Sequence, residues 1–120
     1  MPQHTVLIVD DEPGLRRMLR RHLERDPRFS HIVEAASITE AVQVAALTQP
    51  NVIVLDQMLP DGHGIDAIPL LLEVSPSARV LVYSAVTDET LRRQAFGAGA
   101  YACLAKDDPM ISLLDVAAPP

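Results

Sequence analysis

The chain has 120 residues, 48% of them hydrophobic, and a formal net charge of −6 at pH 7. That length supports one domain with its own core, and no apolar run approaches the roughly 20 residues of a membrane-spanning helix. The acidic balance disfavours direct nucleic-acid binding through a basic face. The single cysteine, Cys103, forbids an internal disulfide and, with no basic-then-apolar leader pattern, points to the cytoplasm.

In chain order, the first apolar run is Val6 to Val9. It is β-branched and unalternating, the pattern of a strand buried on both faces, and it ends at Asp10, Asp11 and Glu12. Pro13 then suits a first helical turn. Leu15, Met18, Leu19, His22 and Leu23 follow as one stripe of helical period. Glu12 reads as a first-turn residue of that helix, and Arg16, Arg17, Arg20 and Arg21 as its solvated face. Ile32 to Ala36 is a more polar strand, expected at a sheet edge. Ser37 and Glu40 have capping-box spacing and open a helix carrying Ala41, Val44 and Ala45.

Val52 to Leu55 is a second buried run, ending at Asp56. Ile65 to Val74 reads as a helix despite Pro69, provided that Pro69 falls in its first turn. Val80 to Tyr83 is the third buried run and ends at Ser84. Thr87 is expected to cap the next helix, with Asp88 and Glu89 near the positive end of its dipole. Tyr101 to Ala105 is a weaker fifth strand, followed by Lys106, and Asp108-Pro109 starts a short last helix. His63 lies in a Gly-rich turn, and His4, His22 and His31 have no ligand spacing.

Repeated strand–helix alternation implies a parallel sheet with helices on both faces. Right-handed crossovers then put the carboxyl end of every strand on one edge, where ligands bind. Asp10, Asp11, Asp56, Ser84 and Lys106 should therefore converge. Adjacent carboxylates facing a third repel unless a cation intervenes, and hard oxygen ligands suit Mg²⁺. Asp11 would be a direct ligand, Asp10 a water-mediated one, and the backbone carbonyl of Met58 a third. Asp56, alone at the end of the central strand, is the natural nucleophile toward a phosphoryl group, forming an acyl phosphate. Lys106 would neutralise phosphoryl oxygens and the Ser84 hydroxyl would donate to one.

The motifs LIVDDEP, VIVLDQMLPDGHG, LVYSA and GAYACLAKD, in that order, resemble the receiver domains of bacterial two-component response regulators. The resemblance implies a flavodoxin-like, doubly wound, five-stranded parallel sheet in the order 2-1-3-4-5 with five helices on both faces. It implies phosphorylation of Asp56 by a sensor histidine kinase with Mg²⁺, and a homodimer formed on phosphorylation. It further implies a switch that regulates an output, transcription above all, and not an enzyme with an external substrate. Residues 1–118 are expected to form the receiver and 119–120 the start of a linker, without an output domain.

Two departures stand out. Receivers usually carry Phe or Tyr where this chain has Cys103, with Tyr101 two residues earlier on the same side of the strand. Asp107 follows the lysine where many receivers have proline, a variant that, with LPDG, is similar to regulators whose receiver precedes a helix-turn-helix domain. Three other readings compete, of which a flavin-binding domain of the same topology is argued against by a first loop without a Ser/Thr-rich phosphate cradle. A phosphorylation-independent interaction module is argued against by the intact set of Asp10, Asp11, Asp56, Ser84 and Lys106. An aspartyl-phosphate hydrolase usually needs an acid two residues after its nucleophile, where Met58 stands.

Overall fold

The computed structural model describes residues 3–120. The apolar runs become parallel strands: β1 (Thr5–Val9), β2 (His31–Ala35), β3 (Val52–Asp56), β4 (Arg79–Ser84) and β5 (Ala102–Ala105). They form one five-stranded sheet in the order β2-β1-β3-β4-β5, the flavodoxin-like topology expected. The order reverses between β1 and β3, which opens a crevice above their carboxyl ends. The more polar β2 is an edge strand, as its composition foretold.

Five helices cover the sheet: α1 (Pro13–Glu24), α2 (Ile38–Thr48), α3 (Gly64–Val74), α4 (Glu89–Ala98) and α5 (Met110–Ala117). Successive strand residues point to opposite faces, so the same strands serve two cores. Leu7, Val9, Ile53, Leu55, Val80 and Val82 pack with Ala41 and Ala45 of α2, Ile68 and Leu71 of α3, and Ala95 of α4. Val6, Ile8, Val52, Val54, Leu81 and Tyr83 pack with Leu19 and Leu23 of α1, and Leu113 and Ala117 of α5. This double burial is why the runs do not alternate. No helix among the described residues is long and apolar enough to cross a membrane.

Several local expectations are corrected. Of the α1 stripe only Leu19 and Leu23 are fully buried; Met18 and His22 are exposed, because the sheet meets a narrower strip of the helix. The arginines opposite do not all face water. Glu34, two residues after Ile32, lies on the α1 side of β2 and draws in Arg16 (3.1 Å) and Arg20 (2.6 Å), leaving Arg17 and Arg21 exposed. Glu12 is not a first-turn residue but the N-cap of α1, its carboxylate accepting from the N–H groups of Gly14 and Leu15. The cap of α4 is Asp88, which accepts from Leu91 N–H at 2.8 Å, and not Thr87. Ser37 caps α2 as expected, accepting from Glu40 N–H. Asp108 accepts from Ala105 N–H instead of opening α5, which begins at Met110.

Pro69 is the sixth residue of α3, not a first-turn residue. Gln57 sets the earlier start: its carbonyl accepts from Gly64 N–H (2.8 Å) and its side chain from Ile65 N–H (2.9 Å). Pro69 is exposed and lacks the N–H that would bond to the Ile65 carbonyl one turn back. Pro69→Ala restores that donor, offset in part by a freer unfolded chain, so it should stabilise the protein by about 1–2 kcal/mol. Urea unfolding measures it; an unchanged or lower stability would contradict the assignment.

Candidate functional site

The carboxyl ends of β1, β3, β4 and β5 deliver the charged groups to one cleft, lined among others by Asp10, Asp11, Asp56, Met58, Ser84 and Lys106. Asp10 and Asp56 are buried because they end buried strands, whereas Asp11, one residue further, is exposed. One carboxylate oxygen from each of the three lies within 4.8 Å of the others. The Lys106 ammonium sits between two of them, 3.1 Å from Asp10 Oδ2 and 3.2 Å from Asp56 Oδ1. Its backbone N–H donates to the Ser84 carbonyl at 2.8 Å, which fixes the lysine beside the end of β4.

Asp10 is held on every side. Its N–H donates to the Ala35 carbonyl at 3.1 Å, its Oδ1 accepts from Glu12 N–H at 2.9 Å, and its own carbonyl accepts from Arg16 Nη1. Asp56 rests against α3. A Cβ added to Gly64 would lie 2.2 Å from the Asp56 carbonyl oxygen, so only glycine lets the helix start this close. Ser84 reaches the cleft wall, but its hydroxyl is engaged in a turn, donating to the Val86 carbonyl at 2.9 Å and accepting from Val86 N–H. Met58 stands on the rim, its side chain exposed and its N–H 3.5 Å from Asp56 Oδ1.

A family model described as the response regulator receiver domain matches residues 6–117. The chain belongs to the response regulator receiver domain family. It is 40% identical over 104 residues to a protein-glutamate methylesterase/protein-glutamine glutaminase of Myxococcus xanthus, spanning 84% of this chain and 29% of that protein. It is 41% identical over 101 residues to the KDP operon transcriptional regulatory protein KdpE of Escherichia coli, spanning 84% of this chain and 44% of that protein. The chain thus spans less than half the length of these two relatives. A response regulator structure from Burkholderia pseudomallei, with a phosphorylated aspartic acid, a calcium ion and citrate, superposes with a TM-score of 0.87. It is 28% identical and covers 95% of this chain and 66% of that one.

The sequence reading of this receiver missed Gly64 and Arg16. The first was visible only as the last letter of DGHG, since close approach to another strand's end leaves no local pattern. The second lies within a run of arginines that has the look of a solvated face, and only its place shortly after the acids hints that it bonds to the Asp10 carbonyl.

Cys103 is buried on the face covered by α2, α3 and α4, where burial pushes its thiol pKa up. Its carbonyl accepts from Arg92 Nη1 of α4 at 2.8 Å. Tyr101 does not share that environment, contrary to the period-two expectation. Strand β5 begins only at Ala102, and the exposed Tyr101 ring stands over Arg79 at 5.0 Å.

The electrostatics follow from crowding. Burial, then the charge of Asp10, raises the Asp56 pKa above the ordinary 3.8, with Lys106 offsetting part of the rise. Burial alone would lower Lys106, but its hydrogen bond to Asp10 and the charges of Asp10 and Asp56 outweigh that and raise it above 10.5. Three hard-oxygen donors this close suit a divalent cation, which removes the repulsion outright.

Without metal, the raised Asp56 contributes stability that is fully present below pH 3.8 and is lost as pH rises through its folded value. Lys106 keeps its contribution until pH rises through its own folded value, above 10.5. In EDTA, Asp56→Asn should therefore gain on the wild type as pH climbs from 3.8 toward neutrality. Denaturant unfolding at a series of pH values reads the gap, and a difference that did not vary with pH would contradict this origin.

Proposed function

We propose that this receiver is a phosphorylation-dependent switch in which Asp56 accepts a phosphoryl group from a sensor histidine kinase. The observation that carries this reading is the partly neutralised acid cluster, with Lys106 between Asp10 and Asp56 and Asp11 left without a hydrogen bond among the described residues. Such a cluster is costly to keep unless a cation and a transferring phosphoryl group complete it.

A carboxylate oxygen of Asp56 attacks phosphorus, and the bond from phosphorus to the kinase histidine breaks, its electron pair returning to the imidazole. Asp10, Asp11, Asp56 and the Met58 carbonyl would hold Mg²⁺, which supplies neutralisation of the transferring oxygens. Lys106 contributes a second positive charge by turning from the acids to a phosphoryl oxygen. Ser84 donates its hydroxyl to another, and must release the Val86 carbonyl to do so. That release loosens the turn leading into α4, and carries the phosphorylation state to the surface of the domain. Cys103, small and packed among apolar neighbours, has no bulky second position, so the conformational signal runs through the Ser84 turn and α4.

Transcription is the output favoured by LPDG and Asp107 together with the likeness to KdpE, and a homodimer formed on phosphorylation is the form in which it would act. The protein is a phosphoacceptor with slow self-catalysed dephosphorylation, not an enzyme with an external substrate.

Incubation with acetyl phosphate and Mg²⁺, followed by intact-mass measurement, tests the acceptor. The wild type should gain one phosphate and Asp56→Asn none. An Asp56→Asn protein that still gained one would overturn the assignment.

A further inference from the structure

Asp11 is the acid whose position is hardest to explain. It is exposed, and among the described residues its carboxylate accepts no hydrogen bond, yet one of its oxygens lies within 4.8 Å of both Asp10 and Asp56. Its side chain is not pinned, so its backbone must be. The peptide following Asp11 is held through Glu12 N–H, which donates to Asp10 Oδ1 at 2.9 Å. The peptide preceding it presents the Asp10 carbonyl, and the donor to that carbonyl is Arg16 Nη1. The same guanidinium donates through Nε to Glu34 Oε1 at 3.1 Å, on the edge strand β2. Arg16 is mostly buried, and its planar fork is anchored at one end and directed at the other.

We propose that Arg16 is a positioning residue for the metal-holding acids: anchored on Glu34, it fixes the Asp10–Asp11 peptide and so carries Asp11 into the cleft. The proposal rests on the reading of Asp10, Asp11 and Asp56 as those acids. Charge-assisted hydrogen bonds of this kind are stronger than neutral ones, and outer partners of metal ligands typically govern affinity tenfold or more. Arg20 supplies an internal control. It also grips Glu34, at 2.6 Å, and bonds to the Ile32 carbonyl, but it does not touch Asp10. A role limited to tying α1 to β2 would be shared by both arginines, whereas a role in placing Asp11 belongs to Arg16 alone.

The test is an NMR titration with MgCl₂ of the wild type, Arg16→Met, Arg16→Lys, Arg20→Met and Asp11→Ala, each with a metal-free thermal melt. Arg16→Met should bind Mg²⁺ roughly tenfold more weakly. Arg16→Lys, which keeps a donor for the carbonyl but loses the fork, should fall between it and the wild type. Arg20→Met should melt lower yet bind Mg²⁺ as the wild type does. Equal affinity in Arg16→Met, or equal weakening in Arg20→Met, overturns the proposal while leaving the metal site standing. Undiminished binding in Asp11→Ala overturns the metal reading and this proposal with it. If Arg16→Met does not fold, Arg16→Lys decides, and wild-type affinity there overturns the proposal.

Discussion

The Lys106 ammonium between the carboxylates of Asp10 and Asp56 is the interaction on which the arrangement of the cleft depends. Parallel topology forces every strand's carboxyl end onto one edge, and this sequence ends two neighbouring strands in acids. Like charges brought together under apolar walls repel strongly. A lysine at the end of β5 answers them from the far side of the sheet, reaching past β4 to acids on β3 and β1. Its own backbone is bonded to the end of β4, which holds it there. The compensation is partial, since one cation faces three acids. That shortfall is what makes the cleft suit a divalent cation.

Rigidity and mobility are divided accordingly. Asp10 and Asp56 stand at the ends of buried strands, and Gly64 seats α3 directly on the Asp56 carbonyl, so the Asp56 carboxylate has little freedom of place. Ser84 is the exception. Its backbone is fixed at the end of β4, but its hydroxyl is engaged in a local turn with Val86, a bond of ordinary strength that a charged acceptor can outcompete. The turn leads into α4, whose Arg92 bonds to the Cys103 carbonyl. The Ser84 turn thus leads into a helix that is itself bonded to the backbone of β5.

The strands and the convergence of Asp10, Asp56, Ser84 and Lys106 were legible in the sequence for a physical reason. A strand buried on both faces cannot alternate, so Val6–Val9, Val52–Leu55 and Val80–Tyr83 announce themselves, and parallel topology then dictates which residues meet. What was not legible depends on contacts between distant segments. Whether Thr87 or Asp88 caps α4 is a one-residue choice settled by which oxygen reaches Leu91. Pro69 sits in the second turn of α3, whose start at Gly64 depends on acceptors from Gln57, seven residues earlier. Arg16 and Arg20 left the solvated face because Glu34 happens to lie beneath them on β2. Glu12 and Gly64 took roles that only the folded path of the β1–α1 and β3–α3 loops defines.

The most direct test of this account is a crystal structure with Mg²⁺ and beryllofluoride, a mimic of the phosphoryl group. Beryllium should be bonded to a carboxylate oxygen of Asp56, with Lys106 Nζ moved from Asp10 to one fluoride. The Ser84 hydroxyl should have left the Val86 carbonyl for another fluoride. Beryllium on Asp10 or Asp11, or a Lys106 that stayed between Asp10 and Asp56 without touching fluoride, would contradict it.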